Sequence, residues 1–311
     1  MNRNGSSLSR RALLQALCTT TAALNLSPRL LFAETLEKII RHIPGTREPL
    51  AIIGVGSSLT FDIDSGAINR SQLIPVMQTF FDGGGQVIDT SPMYGNAETV
   101  IGKLLGAVTG MEKPFLATKV WTFGKADGIR QMRRSMQRMG VRVMDLMQIH
   151  NLRDWKVHIA TLRDWKQQGK IRYTGITTSH GMNHEELEMI LKTEALDFVQ
   201  FSYNIENRVA EQRLLPIAKD KGIATLINRP FQRGYLFRKI KGKPLPGWTS
   251  EFDCNSWGQF FLKFVASHPD VTCIIPATSK LKHMIDNMAA GFGRLPDAGM
   301  RQRMLQYMAS L

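Results

Sequence analysis

Residues 87–98 read VIDTSPMYGNAE, a stretch that joins the end of an apolar strand to two side chains able to do chemistry. The strand leads directly to Asp89, and a phenol, Tyr94, follows five positions later beside Gly95. A structural interpretation is available, in which Asp89 caps the next helix and Tyr94 packs over the rim. The chemical interpretation requires partner residues at equivalent places elsewhere in the chain.

Short apolar runs of the same kind recur along the chain. They cover residues 50–56, 86–90, 115–120, 143–150, 173–178, 196–204, 223–230 and 271–278. Between them lie stretches with apolar residues at helical spacing, at residues 97–108, 129–140, 157–169, 184–193, 213–222, 257–268 and 281–291. Apolar strands that alternate with helices predict a parallel sheet covered on both faces. Eight such repeats predict an α/β fold, a closed (β/α)8 TIM barrel forming a single domain.

A doubly wound sheet is the alternative architecture. It requires a glycine-rich turn after the first strand, and GVGSSL at residues 54–59 has only two of the three glycines needed. No linker rich in Ser, Gly or Pro divides the chain after its N-terminal segment. The barrel is therefore favoured, and it is expected to occupy residues 34–311.

Chemistry in such a barrel lies at the C-terminal ends of the strands. Asp89 ends the second predicted strand, with Tyr94 in the loop that follows; Lys119 ends the third, and His150 ends the fourth. Each of these residues taken alone is more often structural than catalytic. Their equivalent positions on successive strands indicate one shared pocket.

Four such side chains suit proton transfer to a carbonyl oxygen. A tyrosine with its ordinary pKa of about 10 is a weak acid at neutral pH. An adjacent cation favours the phenolate and eases transfer of the phenolic proton. We predict that Lys119 supplies this charge, that Asp89 holds its ammonium, and that His150 orients the substrate oxygen. No nucleophile–base pair accompanies them and no metal is expected, so hydride transfer is the predicted reaction.

The chain resembles the aldo-keto reductase family from about residue 43 to about residue 290. The resemblance is carried by VIDTSPMYGNAETVIGKLL (87–105), ATKVW (117–121), LMQIHN (146–151), VQFSYN (199–204) and IIPATSKLKHMIDNM (274–288). The family is a (β/α)8 barrel that binds NADPH, or less often NADH, and interconverts carbonyls and alcohols. The resemblance implies that Tyr94 is the proton donor, that Asp89 and Lys119 tune it, and that His150 orients a small carbonyl substrate.

The resemblance also implies contacts with the nicotinamide half of the cofactor. The residues concerned are Thr177, Thr178, Gln200, Phe231 and Gly234. Two departures from the family occur here: the threonine pair replaces the usual Ser-Asn, and INRPFQRG (227–234) replaces an aromatic-Ser-Pro-Leu pattern. Asn228 stands where an aromatic ring often stacks on the nicotinamide, and Phe231 is the expected substitute.

TSKLKHMIDN (278–287) corresponds to the adenosine-phosphate end of the family's site. The residues implied are Lys280, Lys282 and His283 for a 2′-phosphate, and Asp286 and Asn287 for the adenine. Positive charge at a 2′-phosphate favours NADPH over NADH, although NADH stays possible. On the substrate side, Trp121 resembles a pocket-wall tryptophan of the family.

Two other functions are compatible with the same pattern. The first is a non-catalytic NADP(H)-binding partner or regulatory module on the same fold, since the nicotinamide segment is altered. The second is a different barrel enzyme, such as a phosphate-handling lyase, for which no response to NADPH is expected. The complete set of Asp89, Tyr94, Lys119 and His150 favours the reductase.

Residues 1–33 have the pattern of an export signal. SRRALL contains paired arginines, a weakly apolar stretch follows, and no acid occurs before Glu34. This resembles a twin-arginine signal peptide, which predicts that the export machinery is a partner and that the mature protein is periplasmic. The alternative is an amphipathic N-terminal helix of a cytoplasmic protein.

The chain of 311 residues carries a formal charge of +14, which favours anionic partners. No nucleic-acid motif accompanies this charge, so nucleic-acid binding is not expected. No apolar run reaches the roughly 18–20 residues that a membrane-spanning helix needs. Without the first 33 residues, Cys254 and Cys273 are the remaining cysteines, and the sequence leaves open whether they pair.

Overall fold

The structure, a computed structural model, describes residues 36–110 and 113–311. The predicted signal peptide at residues 1–33 lies outside the described residues. Two strands form an antiparallel hairpin, β1 (Ile40–His42) and β2 (Pro49–Ala51). Eight more form a parallel sheet, namely β3 (Val55–Gly56), β4 (Val87–Asp89), β5 (Phe115–Val120), β6 (Met144–His150), β7 (Ile171–Thr177), β8 (Phe198–Ser202), β9 (Ala224–Asn228) and β10 (Cys273–Ile274).

The parallel sheet closes on itself. Its strands pair in chain order from β3 to β10, each with the next. The first and last strands then meet, because Gly54 N donates to Ile274 O over 2.8 Å and Gly56 N donates to Pro276 O over 3.1 Å. A side chain at Gly54 would place its Cβ 2.8 Å from the carbonyl oxygen of Val87, so this closure requires glycine there. The predicted (β/α)8 barrel is confirmed.

Helices follow the barrel strands and cover their outer faces. They are α1 (Leu73–Asp82), α2 (Ala97–Ala107), α3 (Lys125–Met139), α4 (Trp155–Gln167), α5 (His184–Thr193), α6 (Val209–Gln212), α7 (Leu214–Asp220), α8 (Tyr235–Lys239), α9 (Trp257–Ala266), α10 (Leu281–Ala289) and α11 (Ala298–Ala309). Three short 3-10 segments occupy Ile68–Arg70, Gln232–Gly234 and Gly247–Phe252. Every predicted helical stretch overlaps one of these helices, although α3 and α4 begin before the predicted residues 129 and 157.

Two features of the first repeat differ from the sequence-based expectation. Helix α1 was not predicted; Pro75 lies in its first turn, where the missing N–H has no partner to lose. The run at residues 50–56 also divides into two strands. Its first part pairs with β1 beneath the barrel, and only Val55 and Gly56 belong to the parallel sheet.

The barrel interior has an apolar end and a polar end. At the N-terminal ends of the strands, Phe115, Tyr173 and Phe198 pack with ring centroids 5.5–5.7 Å apart, and Ile43 and Leu50 of the hairpin segment close the floor. At the C-terminal ends, which we call the mouth, buried charged and amide side chains replace the apolar ones. The fold therefore confines polar chemistry to one end of the barrel.

Three further observations concern residues 36–110 and 113–311. None of their helices combines the length and the apolar character that crossing a membrane requires. No three His, Cys, Asp or Glu side chains group there as a metal site would need. Cys254 and Cys273 are both buried and both free, which answers the question of pairing that the sequence left open.

Candidate active site

A buried ion pair occupies the polar end of the barrel. Lys119 Nζ donates to Asp89 Oδ2 over 2.6 Å and to the carbonyl oxygen of Thr90 over 2.6 Å. The Lys119 side chain has no exposed surface, although it is one of the longest side chains. The pair forms because β4 and β5 are neighbours and both side chains point into the barrel at the same end. The predicted contact between Asp89 and Lys119 is present.

Two glutamines complete the hydrogen bonding of the Asp89 carboxylate. Gln148 Nε2 donates to Asp89 Oδ1 over 2.9 Å, and Gln200 Nε2 donates to the same oxygen over 3.0 Å. Both amides are buried. The carboxylate thus accepts one charged and two neutral hydrogen bonds, which offsets the cost of burying it. Gln200, predicted to contact the nicotinamide, here directs its amide nitrogen at Asp89.

Tyr94 lies half-buried above this pair. The Lys119 ammonium is 5.4 Å from the centre of the Tyr94 ring. Burial raises the pKa of Tyr94, Lys119 acts in the opposite direction, and Asp89 adds to the increase. The phenol is therefore protonated at neutral pH. It is a proton donor in its resting form, and the nearby ammonium is placed to stabilise the phenolate formed after transfer.

His150 faces Tyr94 across the mouth, with the two ring centroids 5.7 Å apart and the ring planes at 90°. Its Nδ1 is 2.9 Å from Ser91 Oγ, and that oxygen also accepts the backbone N–H of Met93 over 3.3 Å. The Ser91 hydroxyl proton is then free to be donated to Nδ1. With Ser91 as the donor in this hydrogen bond, the proton of a neutral imidazole lies on Nε2, where it can be donated to a substrate oxygen.

The charge state of His150 follows from its surroundings. Burial, Lys119 and Arg153 together lower the pKa of His150 to about 2. The imidazole is therefore neutral across the physiological pH range. It can donate one hydrogen bond to a substrate oxygen without competing with Tyr94 as the acid.

Trp121 forms part of the wall beside these residues. Its backbone N–H donates to Gln131 Oε1 over 2.6 Å, and Gln131 Nε2 donates back to its carbonyl over 3.2 Å. The side-chain amide of helix α3 thus fixes the chain where β5 ends. The half-buried Trp121 lies two positions beyond Lys119, as a pocket-wall residue would.

Unpaired hydroxyls mark the position next to His150. Thr177 Oγ1 and Thr178 Oγ1 are buried and have no hydrogen-bond partner within the described part of the chain. Thr177 pairs directly with His150 in the sheet. Because buried polar groups are normally paired, two free hydroxyls at one strand end fit a ligand that carries an amide. These are the threonines predicted to hold the nicotinamide.

Asn228 is the residue that replaces the family's stacking aromatic. Its Nδ2 donates to Thr178 O over 2.9 Å, and its Oδ1 accepts from Ser202 Oγ over 2.6 Å. The Phe231 ring lies 5.0 Å from the ring of Phe237 and 6.5 Å from that of Phe261 in helix α9, centroid to centroid. The structure brings Asn228 into contact with Thr178, and the stacking role of Phe231 stays a prediction.

A polar cavity opens beside Asn228 on the loops after β7, β8 and β9. It has a volume of about 280 Å³ and is lined by His180, Ser202, Asn204, Asn207, Arg229 and Gln232. Burial lowers the pKa of Arg229, and the neighbouring cation of Arg233 lowers it further. Gly234, a predicted cofactor-binding residue in the same loop after β9, has a backbone φ of 81°, which glycine adopts readily. A cavity of this polarity and charge fits an anionic group, and no motif in the sequence pointed to Arg229.

The predicted adenosine-phosphate segment lies at the start of helix α10. Lys280, Lys282 and His283 are exposed, and within the described residues no carboxylate pairs with either lysine. Asp286 is occupied differently, because Ser256 Oγ and Gln259 Nε2 each donate to its carboxylate over 2.8 Å. The lysines are available to an anion, whereas Asp286 links α10 to the first turn of α9.

Sequence reasoning missed two residues of the central network. Gln148 lies inside a continuously buried strand, and Ser91 lies in a loop beside a more conspicuous tyrosine. The only signal for them in the sequence is weak. Each is polar and lies two positions from a predicted site residue, Gln148 from His150 and Ser91 from Asp89. The structure shows that both bind and orient the predicted groups Asp89 and His150.

Comparison with known proteins decides the family. The model described as the Aldo/keto reductase family matches residues 53–302. The chain belongs to the aldo/keto reductase family. The match spans the barrel from the residues before β3 into helix α11, so it includes every residue of the central network.

Relatives and solved structures give the same result. The chain is 27% identical over 216 residues to the NADH-specific methylglyoxal reductase of Escherichia coli (strain K12), an alignment that covers 59% of this chain and 64% of that protein. It is 26% identical over 203 residues to the aldo-keto reductase YhdN of Bacillus subtilis (strain 168), covering 60% of each. These alignments span less than two thirds of either relative.

Among solved structures, the fold is similar to an aldo-keto reductase from Klebsiella pneumoniae in complex with NADPH. The TM-score is 0.71 and the identity 22%, with 88% of this chain and 96% of that chain covered. At this identity the likeness concerns the barrel architecture. It extends over nearly all of the described residues of this aldo/keto reductase family member.

We predict that His150 stays neutral in the folded protein well below its ordinary pKa. In the unfolded chain it titrates near 6.5, so between that pH and about 2 the unfolded state alone binds the proton. The free energy of unfolding should then fall by about 1.4 kcal/mol per pH unit as the pH drops below about 6.5. Urea denaturation of the wild type and His150→Gln at several pH values measures this contribution as the difference in slope.

Other titrating groups are common to both proteins and cancel in that comparison. Nitrogen chemical shifts of the imidazole provide a direct check, and they should report a neutral ring at a pH of about 5. Equal slopes in the two proteins, or a ring that protonates near its ordinary pKa, would show that this pocket does not exclude the imidazolium.

Proposed function

We propose that this protein reduces small aldehydes or ketones to alcohols, with a nicotinamide dinucleotide as hydride source and Tyr94 as proton donor. One observation carries the proposal: the Lys119 ammonium, fixed by Asp89, lies 5.4 Å from the centre of the Tyr94 ring, opposite a neutral His150. Family membership supports it. The names of relatives support it further, since one is a methylglyoxal reductase that uses NADH and a structural neighbour contains NADPH.

In the proposed reaction, each residue at the mouth has a separate role. A carbonyl oxygen placed between the Tyr94 hydroxyl and His150 Nε2 accepts a hydrogen bond from each. The chemistry that a nicotinamide dinucleotide would supply, when held by the residues described below, is the hydride for the carbonyl carbon. Tyr94 gives its phenolic proton to the oxygen, so the product is an alcohol and the tyrosine is left as phenolate. Lys119 stabilises that negative charge, which is present only after proton transfer begins.

The cofactor is proposed to lie across the loops that follow β7, β9 and β10. The unpaired hydroxyls of Thr177 and Thr178 suit its amide, and the cavity that contains Arg229 suits its pyrophosphate. The exposed Lys280 and Lys282 suit a 2′-phosphate. Each of these groups has unsatisfied hydrogen-bonding capacity or charge, and this supports the assignment.

Replacement of Tyr94 by phenylalanine tests the proton donor. Because the ring is kept and only the hydroxyl is removed, we expect turnover of aldehydes to fall by about 100-fold or more. The dissociation constant for NADPH should change by less than about twofold, since Tyr94 is not assigned to cofactor binding. Oxidation of NADPH followed by absorbance, with binding followed by fluorescence, measures the two quantities separately.

Tyr307→Phe is the matched control, because it removes a phenolic hydroxyl from helix α11, outside the site. Its turnover should equal that of the wild type. A wild-type protein that binds NADPH but reduces no member of a broad carbonyl panel would support the binding-module alternative. A protein whose addition leaves NADPH fluorescence unchanged would support a different barrel enzyme.

A second test concerns the choice between NADPH and NADH. Removing the charges of Lys280 and Lys282 together, by alanine, should raise the dissociation constant for NADPH about tenfold, because each lysine supplies a charge-assisted hydrogen bond to phosphate. The constant for NADH, which lacks the 2′-phosphate, should stay within about twofold of wild type. Fluorescence titrations with both cofactors measure the effect.

The control for that test is the double alanine variant of Lys219 and Lys221, which removes the same charge at the end of helix α7, at the opposite end of the barrel. Its affinity for both cofactors should match that of the wild type. Equal weakening of NADPH and NADH by the Lys280 and Lys282 changes would assign these lysines to general charge attraction and would remove the basis for NADPH preference.

We propose separately that residues 1–33 direct the protein to the periplasm by the twin-arginine route. The support is the sequence SRRALL with the weakly apolar stretch after it. This route, as a class, exports proteins that are already folded, often with a cofactor inside. A barrel that binds its dinucleotide before export would have reason to use it, and the protein recovered from the periplasm is then expected to contain nicotinamide dinucleotide.

A fusion of residues 1–33 to a fluorescent reporter that must fold before export tests the signal. We expect fluorescence in the periplasm for the native sequence and in the cytoplasm when Arg10 and Arg11 are both changed to lysine. Arg29→Lys is the control, since it makes the same exchange outside the pair. Periplasmic fluorescence that persists in the double lysine variant would contradict the proposal.

A further inference from the structure

The loop after β6 places one arginine against the aromatic wall of the mouth. The Arg153 guanidinium carbon lies 4.3 Å from the ring centre of Trp121 and 4.7 Å from that of Phe123. Both distances are within the range of cation–π contact, so two rings hold the plane of the guanidinium. Arg153 belongs to the loop that begins at His150, whose carbonyl accepts its backbone N–H over 3.1 Å.

The aromatic wall is itself held in place. Gln131 fixes the backbone of Trp121 in both directions. Beyond it, the carbonyl of Thr122 is 2.9 Å from Nε2 of the buried His158, and Gly124 N donates to Asp154 Oδ2 over 2.7 Å. Helices α3 and α4 and the loop before α4 therefore all anchor this segment. A side chain stacked on it is positioned in advance of any ligand.

The charge of Arg153 has no counterion. Within the described residues, no carboxylate lies within ion-pair distance of its guanidinium, and the guanidinium donates no hydrogen bond. The adjacent carboxylate, Asp154, accepts from Gly124 instead. The cation nevertheless lies close enough to His150 to help lower the pKa of that imidazole. A half-buried guanidinium with free donors thus lies on the aromatic wall of the mouth, near His150.

The backbone around Arg153 is held in an unfavourable conformation. Asn151, Leu152 and Asp154 have φ values of 52°, 55° and 49°, in the left-handed region that favours glycine. A non-glycine residue there is strained, and such strain persists only where the surroundings enforce it. The scaffold maintains three such residues around Arg153, and the loop they form points the guanidinium at the wall of the mouth.

We propose that Arg153 is a substrate-recognition residue that binds the carboxylate of carbonyl substrates, so that the preferred substrates are acids carrying an aldehyde or ketone group. The inference rests on the proposed reductase function and adds a substrate class to it. A guanidinium presents two parallel N–H groups to the two oxygens of a carboxylate. Exposed apolar side chains at the mouth, Met93 and Phe123 among them, suit the hydrocarbon part of such a substrate.

The test compares 4-formylbenzoate with its methyl ester, which lacks the negative charge and carries one added methyl group, with saturating NADPH. In the wild type we expect KM for the acid to be lower than KM for the ester by about tenfold or more, and to rise with added salt. Arg153→Gln should raise KM for the acid by about tenfold to 100-fold and leave KM for the ester within about twofold. The value of kcat should change little, because Arg153 does not contact the reacting atoms.

Two further variants sharpen the result. Arg153→Lys keeps the charge but loses the planar pair of donors, so KM for the acid should lie between those of wild type and Arg153→Gln. Arg134→Gln is the control, since it removes an exposed arginine from the outside of helix α3. Its kinetics with both substrates should equal those of the wild type, and equal thermal unfolding midpoints for all variants verify that the fold is intact.

Calorimetric titration of the protein with 4-formylbenzoate separates this inference from the proposed function. Weaker binding in Arg153→Gln than in wild type supports the anion site even if no carbonyl compound is reduced, in which case only the reductase proposal fails. Reduction of the ester together with an equal effect of Arg153→Gln on acid and ester would overturn the carboxylate site and leave the reductase proposal standing.

Discussion

The buried pair of Asp89 and Lys119 is the interaction on which the rest of the site depends. Removing a carboxylate and an ammonium from water costs several kcal/mol for each ion, and their attraction offsets this only when the geometry is good and the remaining hydrogen bonds are made. Both conditions hold here. Lys119 also donates to a backbone carbonyl, and Gln148 and Gln200 donate to the second oxygen of Asp89. The ammonium beneath Tyr94 therefore has one position, fixed by groups from β4, β6 and β8 and from the loop after β4.

Parallel strands account for why these groups meet. All eight strands run in the same direction, so residues that end β4, β5 and β6 arrive at one end of the barrel although they lie far apart in sequence. The other end is filled by packed aromatic rings and closed by the hairpin. Because the apolar layer excludes water from below, the charges above it interact in a medium of low dielectric. Interactions between fixed charges and dipoles are stronger there than in water.

The sequence predicted the parts of the molecule that depend on strand order and strand ends. Apolar runs that alternate with helical stretches predicted the eight strands and the closed barrel. The charged residues at which two of these runs end predicted the contact between Asp89 and Lys119. Gln148 was missed because its partner, Asp89, lies two strands away, and the contact between them depends on the closed barrel. Helix α1 and the hairpin were missed because a proline and a continuous apolar run conceal their boundaries. The roles of Arg229 and Arg153 depend on loop conformation, which no periodicity records.

The barrel strands position the central ion pair, and the loops that follow the strands contain the features that distinguish this chain. Of the eleven non-glycine residues with positive φ in the described part of the chain, eight lie on the loops after β6, β7 and β9. Those loops contain Arg153, which stacks on Trp121 and Phe123, and His180 and Arg229, which line the polar cavity beside Asn228. Strain of this kind lowers stability and persists because rigid strands hold both ends of every loop. In the proposed reaction the central ion pair supports the chemistry, and these strained loops hold the cations, Arg153 and Arg229, that we propose to bind anionic groups.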